Sequence, residues 1–280
     1  MAANKALVLG GGGIAGIAWM TGLLAGLADA SQDVSDADLI IGTSAGAVVA
    51  AQLGSGLSLD DLYARQADPA LQSPEIPISI DVEKFTAETA RTMKEDSSAQ
   101  DLLRATGAFA VPAETVPETA RWDVIASRLP SHEWPRRTIR LVAVDCESGE
   151  SAVFDAASGV RLVDAVAASC AVPGIWPSVL IGGRRYMDGG ARAMDNADLA
   201  EGAARIIILS PFGLRMQLPG PTPLQDTVAK LRDGGADVTV IEPDEATRAA
   251  IGVNPLDPVT RQPAAEAGRA QGRHGLISAL

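Results

Sequence analysis

Histidine is nearly absent from this chain: His132 and His274 are the only two in 280 residues. A mechanism built on an imidazole base therefore has two candidates. His132 lies in the polar turn Ser131-His132-Glu133-Trp134-Pro135 and His274 in the Gly-flanked segment Gly272-Arg273-His274-Gly275, so neither ends a strand and a Ser-His-Asp triad is disfavoured. Cysteine is equally scarce. Cys146 and Cys170 are too few for a disulfide framework or, with two histidines, for a Cys/His zinc site. Aromatic residues are only 4% although hydrophobic residues reach 47%. The core is therefore built from Ala, Val, Leu and Ile, as in helices packed on a parallel sheet. Positive charge is short as well: 23 Lys and Arg against 35 Asp and Glu give a net charge of −12, which repels nucleic acid and anionic membrane surfaces alike.

Residues 6–28 form an uncharged, mostly apolar run long enough to imitate a membrane span, and Ala28-Asp29-Ala30 imitates a cleavage site. Gly10-Gly11-Gly12-Gly13 in its middle makes a continuous spanning helix expensive, so a strand, a glycine turn and a helix fit better. A cytoplasmic protein is the expectation.

Two strand-turn-helix units open the chain: Lys5–Leu9 then Ile14–Ala30, and Asp38–Ile41 then Ser44–Leu53. Their succession implies parallel strands with right-handed crossovers. From about 58 to 135 the chain turns charged and proline-rich, with helix-like patches near 81–95 and 117–128, and reads as an inserted helical cap. Strands resume at Thr138–Val144 with Ser151–Phe154 as hairpin partner. A helix at Leu162–Ser169 and a hairpin of Val179–Ile181 with Arg184–Met187 follow. Arg205–Leu209 and Asp237–Ile241 read as further buried strands around a helix at Leu224–Asp233. The Ala- and Gly-rich tail over 254–280 reads as a surface helix or partly disordered.

Chemistry concentrates in three places. Gly42-Thr43-Ser44-Ala45-Gly46 fits G-x-S-x-G between a strand and a helix, where a nucleophile stands on a strained turn and the flanking glycines let that turn close. The helix that follows points its N-terminal amides at the site. The bland alternative is that Ser44 caps that helix. Gly10 to Gly16, GGGGIAG, fits a dinucleotide fingerprint, but the acidic residue that should end the second strand is missing and the candidate nucleophile stands in its neighbourhood. Exposed amides of an oxyanion hole are the competing reading, each donor worth about 3 kcal/mol of barrier. A serine needs a base. Asp188, in Met187-Asp188-Gly189-Gly190 after a strand, is the better candidate, though a turn aspartate has the same appearance.

GGGGIAG, GTSAG and DGG, in that order and in those contexts, resemble the patatin-like phospholipase family, as does Ala168-Ser169-Cys170-Ala171-Val172-Pro173 ahead of the aspartate. The similarity covers residues 5 to about 250. It implies an α/β fold in which a mostly parallel sheet lies inside a three-layer α/β/α sandwich, forming a single domain over 1–280 that carries the insertion. It further implies a Ser-Asp dyad of Ser44 and Asp188, and an oxyanion hole of Gly11, Gly12 and Gly13 amides. The implied activity is lipid acyl hydrolysis through an acyl-enzyme, with no cofactor or metal, a lipid or acyl ester as substrate, and peripheral membrane contact. One departure is plain: the family's usual G-G-G-x-[RK]-G has Ala15 at its basic position, which together with the acidic balance favours neutral or zwitterionic esters. A nucleotide-binding α/β protein and a catalytically weak binding homologue remain as alternatives. The tryptophans read as core, Cys170 as a buried apolar residue, and Arg184-Arg185 as solvated strand-end charges.

Overall fold

The computed structural model describes residues 4–77, 98–214 and 223–275. Eight strands form one sheet: β1 (Lys5–Leu9), β2 (Leu39–Thr43), β3 (Thr138–Asp145), β4 (Ser151–Phe154), β5 (Val179–Ile181), β6 (Arg184–Asp188), β7 (Arg205–Leu209) and β8 (Asp237–Ile241). Hydrogen bonding links them in the order β5-β6-β3-β2-β1-β7-β8, with β4 also on β3. The run from β3 to β8 is parallel, whereas β4, β5 and β6 pair antiparallel. The apolar strands are buried on both faces. Leu7 and Leu9 join one hydrophobic cluster and Ala6 and Val8 the other, which is the signature of a sheet between two helical layers.

Nine helices accompany the sheet among the described residues: α1 (Gly13–Asp29), α2 (Ala45–Leu53), α3 (Leu59–Ala67), α4 (Ala99–Ala110), α5 (Glu118–Arg128), α6 (Leu162–Ser169), α7 (Leu224–Asp233), α8 (Glu245–Ile251) and α9 (Arg261–Arg273). The apolar run of residues 6–28 resolves into β1, the glycine turn and α1, every residue of which from Ile14 to Leu27 is buried. No helix among the described residues is long and apolar enough to cross a membrane.

Two expectations are sharpened. Of the two readings of the tail the helix holds over Arg261–Arg273: α9 packs along α1, with Ala264 and Ala265 fully buried. A Cβ on Gly22 would stand 2.1 Å from the Ala265 carbonyl oxygen, so the two helices cross backbone to backbone. Trp19 Nε1 donates to Gln271 Oε1 at 2.9 Å, and Arg269 links Asp29 to Asp60. The stretch read as a cap also contributes to the helical layer: α3, opened by a Ser58–Asp61 capping box, packs on α1 and α9, and α5 packs on α6. The expected helix at 117–128 is α5; the one near 81–95 lies outside the described residues.

Candidate active site

The parallel register brings the β1 and β2 turns to one edge of the sheet. Ser44 follows β2 directly and adopts φ 53°, ψ −113°, a left-handed backbone that a β-carbon makes costly. Its side chain makes no capping bond to α2, which removes the helix-cap reading. The strain is held by close packing: a Cβ on Gly46 would lie 1.9 Å from the Leu9 carbonyl oxygen. Gly46 N–H donates to Gly10 O at 3.1 Å and so pins the serine turn to the glycine loop. Ser169, at the end of α6, braces the turn from the other side: its Oγ accepts the Ser44 N–H at 2.9 Å and donates to Val142 O at 2.6 Å.

Asp188 reaches the same place along β3. Val142 pairs with Thr43 on one side and Val153 on the other, while Ala143 pairs with Asp188 and Ala152. Since β4 occupies one edge of β3 over both residues, β2 and β6 abut end to end on the opposite edge, and the residues leaving them meet there. Asp188 is 4% exposed; its Oδ1 accepts Gly190 N–H at 2.7 Å, while Oδ2 is buried without a bond of ordinary geometry. Burial raises the carboxyl to about 7, and the Gly190 amide, the Ser44 hydroxyl and Arg121 oppose that rise. The Ser44 hydroxyl is thus among the groups that act on the buried Asp188 carboxyl. Asn196 ties the two loops together, its Nδ2 donating to Thr43 Oγ1 at 3.0 Å and Gly189 O at 3.2 Å.

The glycine loop differs from expectation at one residue. Gly11 N–H is engaged by Met194 O at 2.8 Å, so it does not point free into the site. No protein acceptor takes the N–H of Gly12, Gly13 or Ala45 among the described residues. Pro211 fills the space beside Gly12, and Pro255 and Leu256 that beside Gly13. A pyrophosphate would have to displace them, which counts against the dinucleotide reading.

A cavity of about 20 Å³ lies against Ser44, Arg121, Cys170, Trp176 and Leu256. It holds about one water, far below the several hundred Å³ of a typical ligand site. Neither histidine lines it; a His132 ring nitrogen is bonded to Ala126 O at 3.0 Å. Both cysteines are free and buried, and burial pushes the Cys170 thiol up to about 12; Cys170 is the buried residue expected, and its Sγ also donates to Ser44 O at 3.3 Å.

Sequence reasoning missed four buried groups around this edge: Ser169, Asn196, Asp195 and Arg121. Ser169 was visible only as part of the Ala168-Ser169-Cys170 segment. Asp195 sits beneath Gly10, whose added Cβ would fall 2.1 Å from its Oδ1. Burial raises it to about 7, with the Ser210 hydroxyl opposing. Arg184 and Arg185, next to Asp188 in sequence, are paired with Asp145 and Glu118 instead.

A family model, Patatin-like phospholipase, matches residues 7–201, which span the glycine loop, the serine turn, Asp188 and Asn196. The chain belongs to the patatin-like phospholipase family. No curated protein matches the patatin-like chain. Among solved structures it is similar to VipD from Legionella pneumophila, at 15% identity and TM-score 0.48 over 99% of this chain and 67% of that one. It is also similar to the type III effector protein ExoU, at 15% identity and TM-score 0.40 over 98% of this chain and 53% of that one. The full-length ExoU bound to SpcU, from the type III secretion system of Pseudomonas aeruginosa, matches at 15% identity and TM-score 0.41, over 99% and 52%. This chain thus spans about half the length of ExoU.

Proposed function

We propose that this protein is a serine acyl hydrolase that cleaves carboxylic ester bonds of phospholipids or neutral acyl esters through a Ser44–Asp188 dyad. Family membership supports lipid acyl hydrolysis. The observation that carries the dyad is the meeting of a strained Ser44 with a buried Asp188 across the gap between β2 and β6.

In this reading Asp188 Oδ2 accepts the Ser44 proton as Oγ attacks the ester carbonyl. The oxyanion of the tetrahedral intermediate is taken by the N–H groups of Gly12, Gly13 and Ala45, Gly11 being engaged elsewhere. Collapse expels the alcohol, protonated by Asp188, and leaves Ser44 acylated; water, deprotonated by the same carboxylate, then releases the acid. Asp188 is matched to this cycle because a base poised near 7 both accepts and returns a proton near neutrality.

The test is covalent. A fluorophosphonate probe followed by peptide mass spectrometry should label Ser44, and Asp188→Asn should slow that labelling. A probe adduct on another residue, or full hydrolysis of a p-nitrophenyl ester by Ser44→Ala, overturns the reading.

A further inference from the structure

The glycine loop has Ala15 where a basic residue is usual for the family, yet the cavity wall holds a cation supplied from elsewhere. Arg121, on α5, is only 6% exposed. Its Nε and Nη1 are buried and have no acceptor, and Arg121 lines the same cavity as Ser44. The guanidinium lies over Trp176, with Cζ 3.6 Å from the ring centroid, so its plane is fixed by stacking.

Buried charges are ordinarily paired, because leaving the cation of a pair alone costs more than the pair returns. The neighbours of Arg121 do not balance it. Glu75 is bonded to both Arg128 and Arg261, so among the described residues these two buried guanidiniums already share the carboxylate that also acts on Arg121. Asp188, the other carboxyl acting on Arg121, has its own charge disfavoured by burial. A core selected for stability alone would place a methionine or leucine here. The unmet donors sit instead on the wall shared with the nucleophile, and a guanidinium fork can donate to both non-bridging oxygens of a phosphodiester, an anionic pair that a neutral ester lacks.

We propose that Arg121 is the receptor for a phosphate group of the substrate, so that a cation delivered by α5 selects phosphodiester-bearing acyl esters over neutral ones. The inference rests on the serine hydrolase reading. In a phospholipid the phosphate lies a few bonds from the ester under attack, so an ester seated at Ser44 presents its phosphate to the wall that carries Arg121.

The experiment compares dihexanoylphosphatidylcholine with dihexanoylglycerol, which share acyl groups and glycerol and differ in the phosphate head. The kcat/KM ratio of the first over the second should fall at least tenfold in Arg121→Gln, mostly through KM, with partial recovery in Arg121→Lys. Arg121→Met should melt no lower than the parent protein, since it removes an unpaired buried charge. An unchanged ratio, an equal loss on both esters, or a lower melting temperature in Arg121→Met overturns the proposal. Failure of the serine reading is seen separately, as unlabelled Ser44. The Arg121 arm is then read on Ser44→Ala protein, where Arg121→Gln should weaken calorimetric binding of dihexanoylphosphatidylcholine at least tenfold, and equal binding would refute it.

Discussion

Thr43 and Asp188 stand opposite consecutive residues of β3, Val142 and Ala143, on the same edge of that strand. The serine that follows Thr43 and the aspartate that ends β6 are thereby delivered to one point by backbone pairing. In the proposed dyad, side-chain reach then has little to cover, as a short aspartate acting on a serine without an intervening histidine would require.

Removing either member should remove the chemistry and spare the fold. Ser44→Ala and Asp188→Asn are each expected to lower kcat on p-nitrophenyl butyrate by about three orders of magnitude or more. Circular dichroism spectra should match the parent, because Ser44 caps no helix and Asn keeps the Gly190 contact.

The pH profile should carry an acidic limb. Asp188 works as a base only when ionised, and burial holds it near 7, so kcat/KM is expected to rise as the pH climbs through about 7 and level off above it. A limb near 4, the ordinary carboxyl range, would mean that burial does not raise the base.

Stability should run the opposite way with pH. Asp188 and Asp195 both titrate near 7 when folded and near 3.8 when unfolded. The native state therefore binds more protons between those values, and its advantage is full below about 4 and lost as the pH rises through 7. Asp195→Asn removes one buried charge and is expected to raise the melting temperature by a few degrees at pH 8, with little change at pH 4. Equal melting shifts at both pH values would show that Asp195 is ionised at no such cost.

Ser169 holds the turn rather than the substrate. Its Oγ bridges the Ser44 amide and the Val142 carbonyl, so Ser169→Ala takes the acceptor from the part-buried Ser44 amide and a donor from the buried Val142 carbonyl. A loss of about 2–4 kcal/mol of stability is expected. Ser44 should still be labelled by a fluorophosphonate, only more slowly; a rate equal to the parent's would mean that the turn does not need the brace.

Glu75 carries two buried ion pairs, with Arg128 and Arg261. Glu75→Gln leaves both guanidiniums without a counter-charge and is expected to destabilise by about 3–5 kcal/mol. Urea melts of the variant check this, with an unchanged midpoint counting against it.

The sequence by itself determined the elements and their order, since apolar runs, glycine turns and Ala-rich helices are written locally. It also placed Ser44 on a strand-to-helix turn and Asp188 at a strand end, and it marked the scarcity of histidine that suits a base of another kind. Only the tertiary structure decided what those groups meet. That Gly11 gives its amide to Met194, that Ser169 braces Ser44, and that β2 and β6 abut along β3 depend on pairs of residues far apart in sequence, and no local period records such pairs. The tail stayed open between helix and disorder for the same reason: its small residues settle as a helix where α1 offers Gly22 and Gly26 as the matching surface. Arg121 reads in sequence as one more charge on a half-polar helix. Its meaning comes from burial beside Trp176 and Ser44, with its Nε and Nη1 given no acceptor.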